Sequence, residues 1–252
     1  MQTGCALASI AAPSRRALCY SQAASNQMRR GYGRAYGSLM GLGYPPLDLV
    51  IRTPRLRLAG ATDSLLERLV PVVREGLVGA GPLPFDDPMS LYDESPEREW
   101  RWLRGIWAGR ARVDREFWRL YFVVMLDDAP VGMQDLVGVN FASFGTVGTF
   151  SWLQGSLRHR GIGKEMRSAI LHLAFAGLGA KEARSEAFTD NGASNGVSRA
   201  LGYEPNGTGW ATRRGSAAPL SNWRLTRERW ERNKRDDIEL HGVDACLPVL
   251  GL

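Results

Sequence analysis

The chain has 252 residues, of which 44% are hydrophobic and 23% are charged, so it holds enough apolar material for a sizeable core. No run approaches the roughly 18 consecutive apolar residues of a membrane span, which argues against a membrane partner. The three cysteines and three histidines are scattered without disulfide or metal-ligand spacing. We therefore expect no metal and a reducing, cytoplasmic location.

The formal net charge of +6 is concentrated at the N-terminus. Residues 1–47 contain five arginines and no acidic residue, and the rest of the chain has 27 basic against 26 acidic residues. This leader is rich in Ser, Ala, Gly and Arg, and we expect it to be disordered. A transit peptide, an upstream start codon chosen in error and a nucleic-acid-binding arm stay open for it. The near-neutral remainder argues against a nucleic-acid-binding domain.

The body of the chain begins with strand and helix patterns. Residues 51–58 alternate apolar and polar side chains at period two, which predicts a first strand. Thr62 and Asp63 start a helix that runs to Val73, because leucines and valines recur there every three to four residues. A Gly- and Pro-rich connector at 79–88 leads to a second predicted helix over residues 96–111, which carries three tryptophans.

Three strands are predicted next. Residues 120–126 indicate a buried strand, residues 127–130 a hairpin turn, residues 132–141 a second strand, and residues 147–153 the central strand. Asp135 lies in the middle of the second strand. A carboxylate inside a strand calls for an explanation, because its burial is costly. It is either a functional acid or an acid on an exposed face or edge.

The stretch after the central strand is suited to phosphate. It places two glycines among three cations, ahead of an amphipathic helix pattern: Arg158, Arg160, Gly161, Gly163 and Lys164. Glycines let backbone N–H groups approach a ligand, and a helix N-terminus supplies unpaired donors. The P-loop pattern fails because Glu165 stands where it needs Ser or Thr, and the dinucleotide pattern fails because Met166 stands where it needs Gly. A diphosphate is the expected ligand.

A second helix signal follows a short strand at 183–188. Asn191 is a good N-cap and Gly202 a good C-terminal stop. Helical spacing predicts one face with Asn191, Ser194 and Ser198, and a core face with Val197 and Leu201. Residues 210–213 and 223–225 predict a last hairpin, and the apolar end of residues 234–252 is expected to pack on the body.

These motifs, in this order, resemble the GNAT acyltransferase superfamily, and within it the ribosomal-protein N-terminal acetyltransferase (Rim-type) branch. The resemblance rests on Arg-x-x-Gly-x-Gly at 158–163 and on Asn-x-x-Ser at 191–194 followed by Leu-Gly-Tyr at 201–203, and it spans residues 50–230. It implies an α/β (α+β) fold with a single mixed, mostly antiparallel, central sheet flanked by helices. The expected divisions are the leader at 1–47, a GNAT domain at 48–233 and a C-terminal tail at 234–252.

The resemblance also implies acetyl-CoA as the co-substrate. The diphosphate is expected at the loop formed by Arg158, Arg160, Gly161, Ile162, Gly163 and Lys164. The thioester carbonyl is expected at backbone N–H groups near the end of the central strand, which comprises Phe150, Ser151, Trp152 and Leu153. In this branch the asparagine at the position of Asn191 touches the pantetheine arm, and the serine at the position of Ser194 lies near the sulfur.

Transfer to an amine requires a neutral amine, a stabilised oxyanion and a proton for the departing thiolate. Ser194 is the predicted hydroxyl near sulfur, and Tyr203 is the runner-up because tyrosine has that role in other branches. The branch can take a base from the strand after Leu-Gly-Tyr, but this chain has no Asp or Glu between Pro205 and Arg227. Asp135 is therefore the best candidate for the base, with water as the alternative.

The sequence thus predicts an N-acetyltransferase that moves an acetyl group from acetyl-CoA to a primary amine without a covalent enzyme intermediate. The alternative is a catalytically silent GNAT domain that binds acyl-CoA as a sensor, which only the missing late-strand carboxylate supports. The acceptor is a small molecule or a protein N-terminus, because single-sequence patterns in the two early helices do not distinguish them. The chain is expected to be a monomer or a homodimer.

Overall fold

The computed structural model describes residues 43–76, 83–85 and 90–252. The predicted leader at 1–47 and the connector at 79–88 therefore lie largely outside the described residues. Within the described part the strands are β1 (Val50–Arg52), β2 (Leu56–Gly60), β3 (Phe117–Leu126), β4 (Ala129–Val139), β5 (Thr146–Leu153), β6 (Glu182–Phe188), β7 (Glu204–Arg213), β8 (Ser216–Thr226) and β9 (Glu239–His241). The helices are α1 (Pro45–Asp48), α2 (Asp63–Glu75), α3 (Glu97–Ala111), α4 (Phe141–Phe144), α5 (Ile162–His172), α6 (Gly192–Ala200), α7 (Arg227–Asn233) and α8 (Val243–Leu250).

These strands form one sheet with the order β7-β8-β6-β5-β4-β3-β2-β1-β9. Every neighbouring pair is antiparallel except β5 and β6, which α5 joins by a crossover. The prediction of a single mixed, mostly antiparallel sheet flanked by helices is confirmed.

The parallel pair is short, and this opens the sheet. Only Thr146, Val147 and Gly148 of β5 pair with β6, opposite residues 182–184. Beyond them β5 stays paired to β4 as far as Leu153, and β6 stays paired to β8 as far as Phe188. The two strands therefore separate, and a gap opens between their C-terminal halves.

Two apolar cores cover the faces of the sheet. On one face α5 packs its apolar side, including Ile162, Met166 and Ile170, against β3 side chains such as Trp118 and Phe122. On the other face, Leu66 and Leu69 of α2 and Ile106 of α3 pack with the alternate strand residues, such as Val123 of β3 and Met133 of β4. Alternation along β3 thus divides the molecule into an α5 side and an α2/α3 side.

The N-terminal stretch at 51–58 is not the one strand that the sequence predicts. It is an antiparallel hairpin of β1 and β2 that turns at residues 53–55. Pro54 has no N–H to donate to a ladder, and the Thr53 hydroxyl accepts from the backbone N–H of Leu56 at 2.9 Å, which closes the turn. Period-two alternation continues through the turn, so the pattern alone did not show the break.

The tail adds one strand and one helix to this body. Strand β9 pairs with β1 at the edge of the sheet, and Cys246 and Leu250 of α8 join the core on the α5 side. The sequence reasoning missed β9, because three residues are too short to show a period. No described helix is both long and apolar enough to cross a membrane.

Helix α6 differs from the predicted face assignment. Its cap is as predicted, since Asn191 Oδ1 accepts from Ser194 N–H at 3.1 Å. Its buried side, however, carries Asn195 and Ser198, which are 1% and 0% exposed. Asn195 is accommodated because it donates to the Phe188 carbonyl at 2.9 Å and accepts from Trp223 Nε1 at 2.9 Å. Tertiary hydrogen bonds therefore override the apolar pattern.

Candidate active site

The gap between β5 and β6 is the centre of a cleft of about 1440 Å³. The loop before α5, the end of β5 and the first turns of α6 line one part of it, and α3, β3 and β4 line the other. Residues from both faces of the sheet take part, because the cleft lies where the sheet is open. This is where most of the predicted site residues meet.

The loop has the conformation that its glycines favour. Gly161 is the N-cap of α5 with a φ of +77°, a left-handed value that side chains disfavour. A Cβ at Gly163 would meet only Val197 Cγ2, at 3.9 Å, so the space above the first turn of α5 is open. The N–H groups of that turn have no acceptor inside the helix. The loop can therefore offer backbone donors to an anion.

Four of the predicted loop residues line the cleft and two do not. Arg158, Gly161, Gly163 and Lys164 line it. The Ile162 side chain is 3% exposed and packs in the core, because it begins the apolar side of α5. Arg160 is exposed and does not line the cleft, and its carbonyl accepts from Arg55 Nη1 at 3.2 Å. In this structure the side chains of Ile162 and Arg160 therefore take no part in lining the cleft.

An ion pair between the buried Glu165 and the half-exposed Arg55, which the sequence did not indicate, supports this loop. Glu165, in the first turn of α5, accepts from Thr53 Oγ1 at 2.6 Å and from Arg55 Nε at 2.6 Å. Burial alone would raise the pKa of Glu165, but the hydrogen bonds from Thr53 and Arg55 outweigh it and hold the pKa below its usual range. The partners are 110 residues apart, so no local signal marks them.

All four predicted residues at the end of β5 line the cleft. Phe150 and Trp152 face the α2/α3 side and pack in its core. Ser151 faces the α5 side, where its hydroxyl lies 3.3 Å from Arg167 Nη2. The buried Gln134 donates to the Phe150 carbonyl at 2.9 Å.

Asp135 lies in the cleft on the α2/α3 side, and it is neither exposed nor on an edge strand. It is 3% exposed and accepts from Arg119 Nε at 3.0 Å and from Arg119 Nη2 at 2.6 Å, both at Oδ2. Burial raises its pKa to about 6, although the charge and hydrogen bonds of Arg119 oppose that rise. Burial likewise raises the pKa of the neighbouring Tyr121, with the Arg119 charge opposing it. A carboxylate of this kind can hold and release a proton near neutral pH.

Asn191 and Ser194 line the cleft from α6. Asn191 has a double role in the described contacts, since its Oδ1 caps the helix and its Nδ2 lies 3.4 Å from the Pro84 carbonyl. Ser194 is partly exposed. The predicted pair is thus on the same wall as the loop.

Tyr203 does not line the cleft. It is 4% exposed, and its hydroxyl lies beside Arg167 and Thr149 inside the protein. Burial raises its pKa, and the charge of Arg167 opposes that rise. Tyr203 was the second candidate for the proton donor because tyrosine has that role in other branches of the family, but its buried side chain does not line the cleft.

The α2/α3 side of the cleft contains residues that the sequence did not single out. They combine aromatic, apolar and cationic side chains: Arg101, Trp102, Ile106, Arg119 and Tyr121. Tyr121 reaches α3 where Gly109 has no side chain, since a Cβ there would lie 2.0 Å from the tyrosine hydroxyl.

In the described ranges no group of three or more His, Cys, Asp or Glu side chains is arranged to hold a metal.

Comparisons with known proteins agree with this geometry. The acetyltransferase (GNAT) domain family matches residues 75–204, more than half of the chain. RimJ from Mycobacterium smegmatis, in complex with a CoA-disulfide, is similar with a TM-score of 0.60 and 17% identity over 78% of this chain and 98% of that one. RimL, a ribosomal-protein acetyltransferase in complex with coenzyme A, is similar with a TM-score of 0.55 and 16% identity, over 70% of this chain and 97% of that one.

A third similar structure is the microcin C7 self-immunity acetyltransferase MccE in complex with acetyl-CoA and AMP. Its TM-score is 0.54 at 13% identity, over 69% of this chain and 93% of that one. At these identities the structures show a common fold, and the family match adds the sequence evidence. The chain belongs to the GNAT acetyltransferase family.

Proposed function

We propose that this protein transfers an acetyl group directly from acetyl-CoA to a primary amine. The observation that carries the proposal is the cleft at the open part of the sheet, with a glycine- and cation-lined helix N-terminus at one end and the buried Asp135 at the other. The first suits a diphosphate, and the second suits removal of a proton from an amine. Similar folds with bound coenzyme A or acetyl-CoA support the donor.

In this proposal the diphosphate binds at the loop before α5. Arg158 and Lys164 supply full charges, and the glycines at 161 and 163 leave the backbone N–H groups accessible. Asn191 then faces the pantetheine arm from α6, and the thioester lies in the gap between β5 and β6. Of the β5 backbone N–H groups from Phe150 to Trp152, that of Ser151 faces the gap and holds the developing oxyanion, because alternate N–H groups of β5 point toward β4.

The acceptor amine enters from the α2/α3 side. Asp135 takes its proton, directly or through water, and Ser194 helps return a proton to the thiolate. The sequence suggested a silent sensor only because residues 205–227 hold no acid. A buried carboxylate with a pKa of about 6 in the cleft provides an acid from another strand, which favours the enzyme over that alternative.

The acceptor is a small amino compound or a protein N-terminus. Both kinds fit the mixed character of the wall, since Trp102 and Ile106 provide apolar surface, and Arg101 and Arg119 provide charge. The similar structures likewise include a ribosomal-protein acetyltransferase and a microcin self-immunity acetyltransferase.

An acceptor-library assay tests the proposal. The purified chain is incubated with acetyl-CoA and, in separate wells, with N-terminal peptides, polyamines, aminoglycosides and small amino compounds, and the release of free thiol is measured. We expect acceptor-dependent thiol release that a Gly163→Val variant lacks, since its side chain would fill the open space above α5. Acetyl-CoA binding without acetylation of any amine would contradict the proposed transfer and leave the sensor.

A further inference from the structure

Arg167 is a buried cation in the cleft that forms no ion pair with any acid in the described part of the chain. It is 5% exposed and lines the cleft from α5. Its Nη1 donates to Ser185 Oγ at 2.9 Å and its Nη2 to Ser151 Oγ at 3.3 Å, while its Nε is buried without a partner. Among the described residues its hydrogen-bond partners are thus two neutral hydroxyls, and no carboxylate pairs with it.

Two other arginines of the cleft are different in this respect. Arg101 pairs with Asp93 at 2.5 Å, and Arg119 pairs with Asp135 at 2.6 Å. A guanidinium keeps its proton under all ordinary conditions, so burial of Arg167 without a counter-charge is costly. An uncompensated buried charge at a cleft indicates that a negative charge arrives there.

The location of Arg167 suggests when that charge arrives. Ser151 belongs to β5 and Ser185 to β6, both beyond the last residue pair that joins the strands, Gly148 and Arg184. The guanidinium therefore spans the opening in which the proposed function locates the thioester. A thioester is neutral before the reaction, and its sulfur becomes negative as the C–S bond breaks.

We propose that Arg167 is a catalytic residue that stabilises the negative charge on the departing sulfur of coenzyme A. This proposal rests on the proposed function. The amine lone pair forms the new C–N bond, and the electron pair of the breaking C–S bond stays on sulfur. The amine proton passes to Asp135 or water, and the thiolate remains paired with Arg167 until it is protonated. Arg167 donates no proton itself.

This role explains why Arg167 has no acid partner. A carboxylate beside it would neutralise the charge before the reaction and would repel the thiolate. Without one, the guanidinium gains its counter-charge only as the bond breaks, so its interaction with the transition state exceeds that with the substrate. Its cost in stability is then part of the function.

The thiol pKa of bound coenzyme A tests this role, because a merely structural arginine would not change it. The affinities of coenzyme A and S-methyl-CoA are measured by calorimetry from pH 6.5 to pH 9.5. The ionisable side chains that line the cleft include Asp135, His159, Lys164 and Glu186, and Tyr203 is buried beside Arg167. Both ligands meet these groups and carry the same nucleotide, so the ratio of their affinities cancels those contributions. A free thiol has a pKa of about 8.5. If Arg167 lowers the pKa of the bound thiol by about one to two units, the affinity of coenzyme A relative to S-methyl-CoA rises about 10–100-fold from low to high pH.

Three variants complete the experiment. Arg167→Met should abolish this pH dependence and lower kcat by about 10²–10³-fold with little change in KM. Arg167→Lys should retain part of both effects. Arg184→Met removes an exposed cation one residue from Ser185, where Arg184 pairs with Glu182, and it should behave like the parent.

A pH-independent ratio in the parent overturns the role of Arg167 even if Arg167→Met fails to fold, and so does a pH-dependent ratio that Arg167→Met retains. Failure of the parent to bind coenzyme A at any pH would instead contradict the proposed function itself.

Discussion

Replacement of Asp135 by asparagine has two consequences that follow from its burial beside Arg119. The first is kinetic. If Asp135 accepts the amine proton, kcat/KM of the parent rises as pH passes about 6, where its carboxyl group titrates. Asp135→Asn keeps the shape and removes the base, so we expect turnover to fall by about 10²–10⁴-fold. The defect should shrink at high pH, where more of the acceptor amine is already neutral.

The second consequence is thermodynamic. The folded-state pKa of about 6 lies above the ordinary aspartate value of 3.8, so the folded protein binds this proton more tightly than the unfolded chain. The resulting stabilisation is fully present below pH ~4 and is lost as pH rises through ~6. A shift of about two units corresponds to ~3 kcal/mol. The free energy of unfolding of the parent minus that of Asp135→Asn should therefore fall by ~3 kcal/mol between pH 3 and pH 7, as measured by urea denaturation.

Asp63→Asn is the matched control. Asp63 also pairs with an arginine, Arg110, but it is largely exposed and does not line the cleft. The hydrogen bond from Arg110 lowers the pKa of Asp63, so its contribution has the opposite sign: it is present above the unfolded pKa and is lost as pH falls. If the stability difference for Asp135→Asn does not change with pH, the pKa of Asp135 is not raised in the folded protein. If that variant matches the parent rate at every pH, Asp135 is a structural acid.

Three further predictions concern Ser194 in the wall of the cleft and two residues behind that wall, Arg55 and Asn195. Ser194→Ala should lower kcat by less than Asp135→Asn does, because water can protonate the thiolate, and calorimetry should give an unchanged acetyl-CoA affinity; a large loss of affinity would contradict this. Arg55→Leu should weaken acetyl-CoA binding about tenfold (~1.4 kcal/mol), because the negative charge of Glu165 near the diphosphate then has no arginine partner. Adding Glu165→Gln to that variant should restore much of the affinity. If it restores none, Arg55 acts on the shape of the loop alone. Asn195→Leu should reduce the free energy of unfolding by about 1–3 kcal/mol in urea, because it leaves buried partners unsatisfied, and an unchanged midpoint would oppose this.

The local signals of the sequence were sufficient for the strand, loop and helix that form one wall of the cleft. Gly161 at a left-handed N-cap and Asn191 at the start of α6 are features that a few neighbouring residues define. The resemblance in motif order then indicated a mixed sheet, which the structure confirms. The alternation over 51–58 misled because the turn at Pro54 does not interrupt the period.

The remaining site residues depend on contacts that no local pattern encodes. Asp135 and Arg119 meet because the register of β3 and β4 brings them to the same face. Glu165 and Arg55 meet across 110 residues. Arg167 lies in an ordinary helical position of α5, and only the separation of β5 and β6 exposes it to the cleft. Tyr203 has the expected position in the sequence, but its ring is buried and does not line the cleft.

Calorimetric titration of the parent, Gly161→Val and Gly179→Val with acetyl-CoA measures whether the ligand binds at the loop before α5. Gly161 and Gly179 have almost the same left-handed φ, +77° and +76°, but only Gly161 lines the cleft, and a Cβ at Gly179 would meet nothing within 4 Å. Both variants therefore have the same backbone strain, and only one obstructs the ligand. We expect micromolar binding, about 8 kcal/mol, for the parent and Gly179→Val, and nearly none for Gly161→Val. Equal affinity in all three proteins, or no binding by the parent, would contradict the account.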